Sequence, residues 1–424
     1  MTRAIARFFS EKPEYERRMA VLKRAADKTP FTFRDVTNAR ALFGERMQIS
    51  PSRLETFRQC RFLYYCRYGL RAFPRGRAEM DAPEIGTLIH FVLERLLREH
   101  SGEGLWTIAR DELSSQVKSL LKEFADGFLG GLKDKPERFK YLYLRLEGQV
   151  IGLIEHIARE LEQSMFRPVD FELTIGRDVK PLTVDLPDGG SITVEGKVDR
   201  VDLMKRDGAS YLRVVDYKTG SKEFNLSDVI YGLNLQMFLY LFALCDNGGG
   251  RYSAQGEITP AGVLYVPSGR PNITAARSAG EEDISAARDS AYKMSGLLLD
   301  DPEVIRAMER DGSGVFIPAK LRKSEDADGN VSYEPDSRAS VASLEKFGFL
   351  KRHVVKTLKD MALTLHEGDV AAEPVQGISY HPCDYCDYAC VCGHEPGDGI
   401  RLLRKYDKEE VWKSLKEEGG VENG

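Results

Sequence analysis

The sequence predicts a mixed α/β fold in which one mixed sheet carries helices on its faces. The first observation is the order of patterns, since helical segments precede a meander of strands between residues 169 and 217, and a helix, a strand and further helices follow. The second is size and composition, because 424 residues with 42% hydrophobic and 30% charged side chains can bury a large core. The third is Pro187-Asp188-Gly189-Gly190, a hairpin turn between two strand patterns.

The individual elements follow from local patterns along the chain. Ser52-Arg53-Leu54-Glu55 is a capping box, which predicts a helix running to about Tyr68. Further helices are predicted at 14–26, 33–43, 84–100, 107–130, 137–166, 227–245, 283–299 and 340–367. Strands are predicted at 169–176, 179–186, 191–204, 210–217 and 262–266, and 326–329 is predicted to be a hairpin tip.

Composition also restricts location and partners. No apolar run is long enough to span a bilayer, and residues 1–12 lack a signal-peptide core, so we expect a cytoplasmic protein without a membrane partner. Seven cysteines without a secreted context are expected to be metal ligands and free thiols. The net charge of −5 does not suggest nucleic-acid binding, yet residues 1–77 hold 18 Lys or Arg against 7 Asp or Glu. That basic segment could hold a polyanion, although a solvated basic helix face is a slightly better explanation.

A short motif of an acid and a lysine ends one strand pattern. Asp216-Tyr217-Lys218 follows an apolar run, and residues i and i+2 of a strand project to the same face, so Asp216 and Lys218 should share one side. Asp199 lies on a strand pattern of its own, which could approach as the antiparallel partner. Two carboxylates bind a hard cation such as Mg²⁺, and a lysine adds positive charge where phosphate charge develops. Together they indicate a metal-dependent phosphodiesterase site, whereas each alone is as well explained by a surface ion pair.

Three further polar residues stand in apolar surroundings. Gln236 and Tyr240 lie one turn apart on a helix that is apolar on nearly all sides, which predicts that this helix is buried. They either satisfy buried backbone groups or face the metal site. His90 follows Gly86-Thr87-Leu88-Ile89 on an apolar helix, where a histidine is more often a satisfied core residue than a metal ligand. Its weight therefore comes from the other motifs.

The cysteines are the strongest independent signal. Cys383, Cys386 and Cys392 lie within ten residues, and the C-x-x-C spacing lets two thiolates bind one metal centre. Cys60, in an aromatic and basic helix, is the best candidate for a fourth ligand, and it would close a loop of more than 320 residues. The alternative is a zinc site in which Cys390 is the fourth ligand.

With these residues in place, the chain resembles the PD-(D/E)XK nuclease superfamily and, within it, the AddB-type nuclease domains of bacterial helicase–nucleases. The resemblance covers about residues 49–395 and depends on the order and spacing of six segments. These are Ser50 to Cys60 followed by Tyr68-Gly69-Leu70, Ile85 to His90, Gly196 to Asp199, Asp216 to Gly220, Gln236 with Tyr240, and the three C-terminal cysteines.

The resemblance implies a restriction-endonuclease-like fold: a mixed sheet flanked by helices, with a helical N-terminal extension and a cysteine-clasped C-terminus. It also implies roles for individual residues. Lys218 would position the attacking water, while Gln236 and Tyr240 would contact the DNA backbone or orient Lys218. The implied ligands of Mg²⁺ or Mn²⁺ are His90, Asp199, Asp216 and the backbone carbonyl of Tyr217. The implied ligands of a [4Fe–4S] cluster are Cys60, Cys383, Cys386 and Cys392, although thiolates by themselves suit iron–sulfur and zinc equally.

The implied activity is that of a metal-dependent exonuclease on single-stranded DNA ends, acting in double-strand break repair and recombination. The implied partners are DNA and an AddA-type helicase–nuclease subunit. Two alternatives stay open, namely a non-catalytic iron–sulfur scaffold that binds DNA and a zinc-stabilised interaction module.

The resemblance further suggests three regions along the chain. Residues 1–48 are expected to be a helical connector from a preceding helicase-like region, residues 49–396 the nuclease domain, and residues 397–424 a C-terminal tail. The sequence contains no G-x-x-x-x-G-K-[ST] phosphate loop, so we expect no helicase motif in this chain. One departure is that Arg61 stands where the family usually has a proline after the first cysteine.

Overall fold

The computed structural model describes residues 8–9, 12–26, 32–74, 82–100, 104–220, 224–253, 257–269, 280–325, 331–377, 381–395 and 397–420. The chain divides into two compact units, each built from several separate stretches. The smaller unit contains residues 1–45, 56–74 and 361–403, and the larger unit contains residues 46–55, 75–360 and 404–424.

The α-helices are numbered in chain order. They are α1 (Glu16–Ala26), α2 (Val36–Phe43), α3 (Pro51–Gln59), α4 (Arg61–Tyr64), α5 (Ala82–Glu99), α6 (Arg110–Phe128), α7 (Glu137–Gln163) and α8 (Leu226–Ile230). They continue with α9 (Gln236–Asn247), α10 (Gly249–Tyr252), α11 (Glu281–Tyr292), α12 (Pro302–Met308), α13 (Leu344–His366), α14 (Ala389–Cys392) and α15 (Lys408–Gly420). Among the described residues, no helix combines the length and the apolar stretch that a membrane span requires.

The strands are numbered in the same way. They are β1 (Arg46–Ile49), β2 (Arg167–Ile175), β3 (Leu182–Asp185), β4 (Ser191–Val194), β5 (Gly196–Arg206), β6 (Ala209–Lys218) and β7 (Ile258–Pro267). They continue with β8 (Ser295–Leu299), β9 (Leu321–Glu325), β10 (Val331–Pro335), β11 (Val341–Ala342), β12 (Val375–Gln376) and β13 (Arg401–Leu402).

A six-stranded mixed sheet organises the larger unit. Its strand order is β11-β8-β7-β6-β5-β2. Strand β6 runs parallel to β7 and β8 parallel to β11, while the other neighbours are antiparallel. Helix α9 packs on β6 and β7, and α5 packs on β2. The predicted mixed sheet with flanking helices is therefore confirmed, and a smaller sheet, β1-β4-β3, accompanies it in the same unit.

The hairpin of β5 and β6 brings the two predicted acidic motifs together. Asp207 and Gly208 both have positive φ, 50° and 79°, which a two-residue turn matched to the twist of its strands requires. The turn pairs Arg206 with Ala209, and the register continues to Arg200 opposite Val215. The predicted antiparallel approach of the two strands is thus confirmed. The predicted turn at 187–190 likewise joins the antiparallel strands β3 and β4.

The buried helix is confirmed, but it is shorter than predicted. Every residue from Met237 to Leu244 in α9 is buried. The predicted helix 227–245 is divided into α8 and α9, because Gly232 and Asn234 take left-handed backbone conformations with φ of 76° and 57°. Gln236 consequently begins α9 and lies in its first turn.

Two other predictions differ from the structure. The predicted helix 283–299 is wrong in its second half, where residues 295–299 form β8 and pair with β7. Short apolar runs do not distinguish a buried strand from a helix segment by periodicity. The predicted strand 191–204 is divided at Glu195 into β4 and β5, which belong to different sheets. The predicted hairpin tip 326–329 lies outside the described residues, and the flanking strands β9 and β10 pair antiparallel.

The smaller unit contains α1, α2, the short strands β12 and β13, and the chain around Cys60. The predicted helix running to about Tyr68 is interrupted at Cys60, whose backbone is extended between α3 and α4. A π-helical turn, Tyr65–Gly69, then follows α4 directly. This interruption lets the Cys60 thiol leave the helix axis and reach the C-terminal segment of the same unit.

Candidate active site and cysteine site

The end of β6 carries the acid and the lysine of the first motif. The Asp216 Oδ2 atom lies 2.8 Å from Nζ of Lys218, so the predicted sharing of one face is confirmed. Asp216 is 4% exposed, whereas 35% of the Lys218 side chain is exposed. Lys218 is therefore the member of the pair that a substrate can reach from solvent.

Gln236 connects the two members of this pair. Its Oε1 atom accepts a hydrogen bond of 3.2 Å from Lys218 Nζ, and its Nε2 atom donates one of 3.3 Å to Asp216 Oδ1. A neutral amide can make both bonds because it carries an acceptor and a donor at one end. The contact fits the predicted role of orienting Lys218.

Tyr240 is buried behind the second motif. A Cβ atom placed on Gly196 would lie 2.5 Å from the Tyr240 hydroxyl oxygen, so the glycine is required by close packing. Burial raises the pKa of Tyr240 to about 12, and its hydroxyl is hydrogen-bonded to the Lys197 backbone and to Gln236. Tyr240 thus supports the start of β5, and it is only 4% exposed.

Asp199 projects from β5 toward the end of β6. Its Oδ2 atom accepts a 2.9 Å hydrogen bond from the backbone N–H of Tyr217. Burial and the neighbouring charge of Asp216 raise the pKa of Asp199 to about 7. Two carboxylates that oppose each other's ionisation in this way need a positive partner to remain charged together.

His90 reaches the same place from α5. Its Nε2 atom lies 3.1 Å from the carbonyl oxygen of Tyr217, and its Nδ1 atom lies 3.4 Å from Asp199 Oδ1. Burial would lower the pKa of His90, but Glu172, Asp199 and the Tyr217 carbonyl raise it to about 9. Three oxygens therefore surround a group that is cationic without metal, which marks the position as suited to a cation.

Glu172 on β2 is a residue that the sequence reasoning missed. Its Oε1 atom lies 3.4 Å from His90 Nδ1, and its other carboxylate oxygen contacts Lys197. Among the described residues, one group of His, Cys, Asp or Glu side chains has all its ligand atoms within 4.8 Å of one another, namely His90, Glu172 and Asp199. The available signal was a carboxylate on the predicted strand 169–176, which becomes informative only once that strand is paired with β5.

These donors fit a hard divalent cation. Carboxylate and carbonyl oxygens with one imidazole are ligands that suit Mg²⁺ or Mn²⁺. Asp216 stands outside the group of three above, because its carboxylate is held by Lys218 and Gln236. The ligand set of His90, Asp199, Asp216 and the Tyr217 carbonyl thus stays a prediction.

A fully buried charge network lies on the other side of β5 and β6. Asp202 accepts 2.8 Å hydrogen bonds from Arg200 and Arg213, and Glu160 of α7 contacts both guanidinium groups. Burial would raise the pKa of Asp202, but the two arginines lower it. Arg200 also lies 3.4 Å from the Tyr217 hydroxyl, so the network touches the residue between Asp216 and Lys218.

The four predicted cluster cysteines come together in the smaller unit. One cavity is lined by Cys60, Cys383, Cys386 and Cys392, together with Phe62, Leu63, Ala372, Pro374, Pro382 and His394. Burial raises the pKa of Cys60, and burial with the neighbouring thiols raises the pKa of Cys383 to about 11. Four converging thiols in an apolar cavity fit a [4Fe–4S] cluster or a zinc ion, either of which would favour their thiolate forms.

Two neighbouring residues complete this picture. Cys390 is exposed and is not among the residues that line the cavity. Arg61, which departs from the family pattern, forms ion pairs of 2.9 Å with Asp369 and 2.6 Å with Glu373. The departure therefore adds a link between the Cys60 segment and the chain that leads to the C-terminal cysteines.

Comparison with known proteins gives a consistent result. The sequence model of the PD-(D/E)XK nuclease superfamily matches residues 48–393. The chain is also similar to bacterial proteins whose names describe them as the second of the subunits of an "ATP-dependent helicase/deoxyribonuclease". In Clostridium acetobutylicum the identity is 32% over 386 residues, which is 89% of this chain and 32% of that protein. In Clostridium novyi it is 32% over 426 residues, which is 98% of this chain and 36% of that protein. The chain thus spans about a third of the length of these curated relatives.

Proposed function

The chain belongs to the PD-(D/E)XK nuclease superfamily, and on this basis we propose that it is a Mg²⁺- or Mn²⁺-dependent deoxyribonuclease that degrades single-stranded DNA ends as an exonuclease. The observation that carries the proposal is the convergence at one strand end of Asp216, Lys218, Asp199 and His90. A structural ion pair accounts for two of these residues, but it does not account for a histidine and a second carboxylate beside them.

The chemistry follows from the positions of these side chains. When bound by His90, Asp199, Asp216 and the Tyr217 carbonyl, the divalent cation supplies Lewis acidity and lowers the pKa of water. The Lys218 ammonium, partly exposed and held by Gln236, stabilises negative charge on the phosphate oxygens as water attacks phosphorus. Gln236 keeps that ammonium aligned, and Tyr240 keeps the Gly196 segment in place.

We extend the proposal to a [4Fe–4S] cluster with a structural role. Cys60, Cys383, Cys386 and Cys392 line one cavity, which supports them over Cys390 as the ligand set. His394 lines the same cavity, and this observation supports a second candidate, a zinc-stabilised interaction module. Iron and acid-labile sulfide in the purified chain would exclude the zinc candidate.

The relatives that carry "helicase/deoxyribonuclease" in their names support a further extension. We propose that residues 49–396 act as the nuclease domain of a helicase–nuclease complex in the cytoplasm, beside an AddA-type subunit, in recombinational repair of double-strand breaks. In this arrangement the helicase supplies the single strand and the site described above cuts it.

A cleavage assay tests the proposed activity. The full chain is incubated with end-labelled single-stranded DNA and Mg²⁺, with and without EDTA, beside Asp216→Ala and the control Asp185→Ala at an exposed position on β3. We expect Mg²⁺-dependent cleavage by the wild type and the control but not by Asp216→Ala. Cleavage retained by Asp216→Ala would refute the site, and DNA binding without any cleavage would favour the non-catalytic scaffold.

A further inference from the structure

Glu172 borders the proposed metal site but belongs to none of the motifs that identify the family. Its Oε1 atom lies 3.4 Å from Nδ1 of His90, and its second oxygen forms an ion pair with Lys197. The side chain is only 12% exposed. A carboxylate that is largely withdrawn from water and held from both ends has a fixed direction, which is the property that a positioning group needs.

The backbone at Glu172 is strained in a way that fixes this direction further. Its φ is +53°, a left-handed conformation that side chains with a Cβ atom rarely adopt. The flanking residues Phe171 and Leu173 nevertheless pair regularly with β5, opposite Arg200 and Val198. The distortion is therefore local to Glu172, as in a β-bulge that redirects one side chain.

His90 has a particular need for such a group. A metal-binding histidine uses one ring nitrogen for the metal and donates the N–H of the other to a carboxylate or a carbonyl. Nε2 of His90 faces the Tyr217 carbonyl, which is also a proposed ligand, and Nδ1 faces Glu172 and Asp199. Asp199 is itself a proposed ligand and already accepts the Tyr217 N–H. Glu172 is thus the carboxylate available to accept from Nδ1.

We propose that Glu172 is a positioning residue for the metal site, with its carboxylate accepting the Nδ1–H of His90 so that Nε2 is directed at the divalent cation. Lys197 holds the carboxylate in turn, through the ion pair on its second oxygen. The inference rests on the proposed metal-dependent function, and it adds to that function a residue that sets how tightly the cation is bound.

The test is a calorimetric titration of the full chain with Mn²⁺ in the absence of DNA. Glu172→Ala removes the acceptor and is expected to weaken Mn²⁺ binding by about 10–100-fold. Glu172→Gln keeps an acceptor oxygen and should lose less than about a third of that effect on a logarithmic scale. Lys197→Met should cause a smaller loss than Glu172→Ala, while Lys205→Met, an exposed position on the same strand, should cause none.

A stability readout separates positioning from a merely structural role. Glu172→Gly removes the carboxylate and also relieves the left-handed strain, so its thermal midpoint without metal should match or exceed that of the wild type. Its Mn²⁺ affinity should nevertheless fall as in Glu172→Ala. That combination of retained stability and weakened metal binding is expected only if the carboxylate serves the metal site.

The unfavourable outcomes are distinct. Wild-type Mn²⁺ affinity in Glu172→Ala would overturn the positioning role and leave the proposed metal site standing. Equal losses in Glu172→Ala and Glu172→Gln would also overturn it, because the negative charge and not the acceptor would then matter. Absence of Mn²⁺ binding by the wild type would refute the proposed function and this inference together.

Discussion

Removing the Asp202 carboxylate should destabilise the larger unit strongly. Asp202 accepts three hydrogen bonds of 2.8 Å, two from Arg200 and one from Arg213, and all three side chains are 0% exposed. Asp202→Ala leaves two buried guanidinium groups that share the Glu160 carboxylate. Breaking a buried ion pair by removing one partner costs about 3–5 kcal/mol, because the remaining charge stays buried without its counterpart.

Tryptophan fluorescence during urea unfolding measures this loss in the relevant part of the chain. The two tryptophans, Trp106 and Trp412, both belong to the larger unit. We expect Asp202→Ala to lower the unfolding midpoint by the equivalent of about 3–5 kcal/mol, with the slope unchanged. Asp185→Ala, at an exposed position, should change stability by less than about 0.5 kcal/mol. A loss below about 1 kcal/mol for Asp202→Ala would refute the reasoning.

Three further predictions concern other parts of the chain. Cys60→Ser should lose iron and destabilise the smaller unit, whereas Cys390→Ser should keep its iron, since Cys390 is exposed; iron and sulfide analysis checks this, and full iron in Cys60→Ser would point to Cys390 as the fourth ligand. Gly196→Ala should lower the thermal midpoint and the cleavage rate, because its Cβ would lie 2.5 Å from the Tyr240 hydroxyl. Gly148→Ala, with open space around its Cβ inside α7, should instead stabilise by about 0.5–1 kcal/mol; similar behaviour of the two variants would contradict the packing. Burial would raise the pKa of Glu418, but hydrogen bonds from His353 and Lys356 lower it to about 2. A depressed folded-state pKa contributes stability above the ordinary value of 4.5 that is lost as the pH falls toward 2, so the stability difference between wild type and Glu418→Gln should shrink over that range. Glu417→Gln, with 68% of its side chain exposed, is the control, and a difference independent of pH would count against the assignment.

The features of the site that depend on local geometry could be predicted from the sequence. Alternation along a strand is enough to put Asp216 beside Lys218, because side chains two residues apart share a face. An apolar run on all sides of a helix is enough to predict that α9 is buried. The pairing of β5 with β6 also follows, since the two strand patterns are adjacent in sequence and antiparallel neighbours need only a short turn.

Features that depend on tertiary pairing could not be predicted in the same way. Glu172 becomes significant only after β2 pairs with β5 and its backbone turns left-handed, and propensity indicates neither event. Arg200, Arg213 and Asp202 look like ordinary charged residues of exposed strands, and their burial depends on Glu160 arriving from α7. The division of the predicted helix at Asn234 likewise follows from packing of the surrounding chain, which overrides local preference.

The position of Lys218 allows the most direct measurement of the proposed chemistry. Single-turnover cleavage of end-labelled single-stranded DNA is compared between the wild type and Lys218→Ala, with Mg²⁺ and DNA at saturating concentrations. We predict that Lys218→Ala binds Mn²⁺ and DNA as the wild type does but cleaves at least about a hundredfold more slowly, because the charge that develops on the phosphate loses its ammonium partner. A cleavage rate within about threefold of the wild type would contradict the assignment of this strand end as the nuclease site.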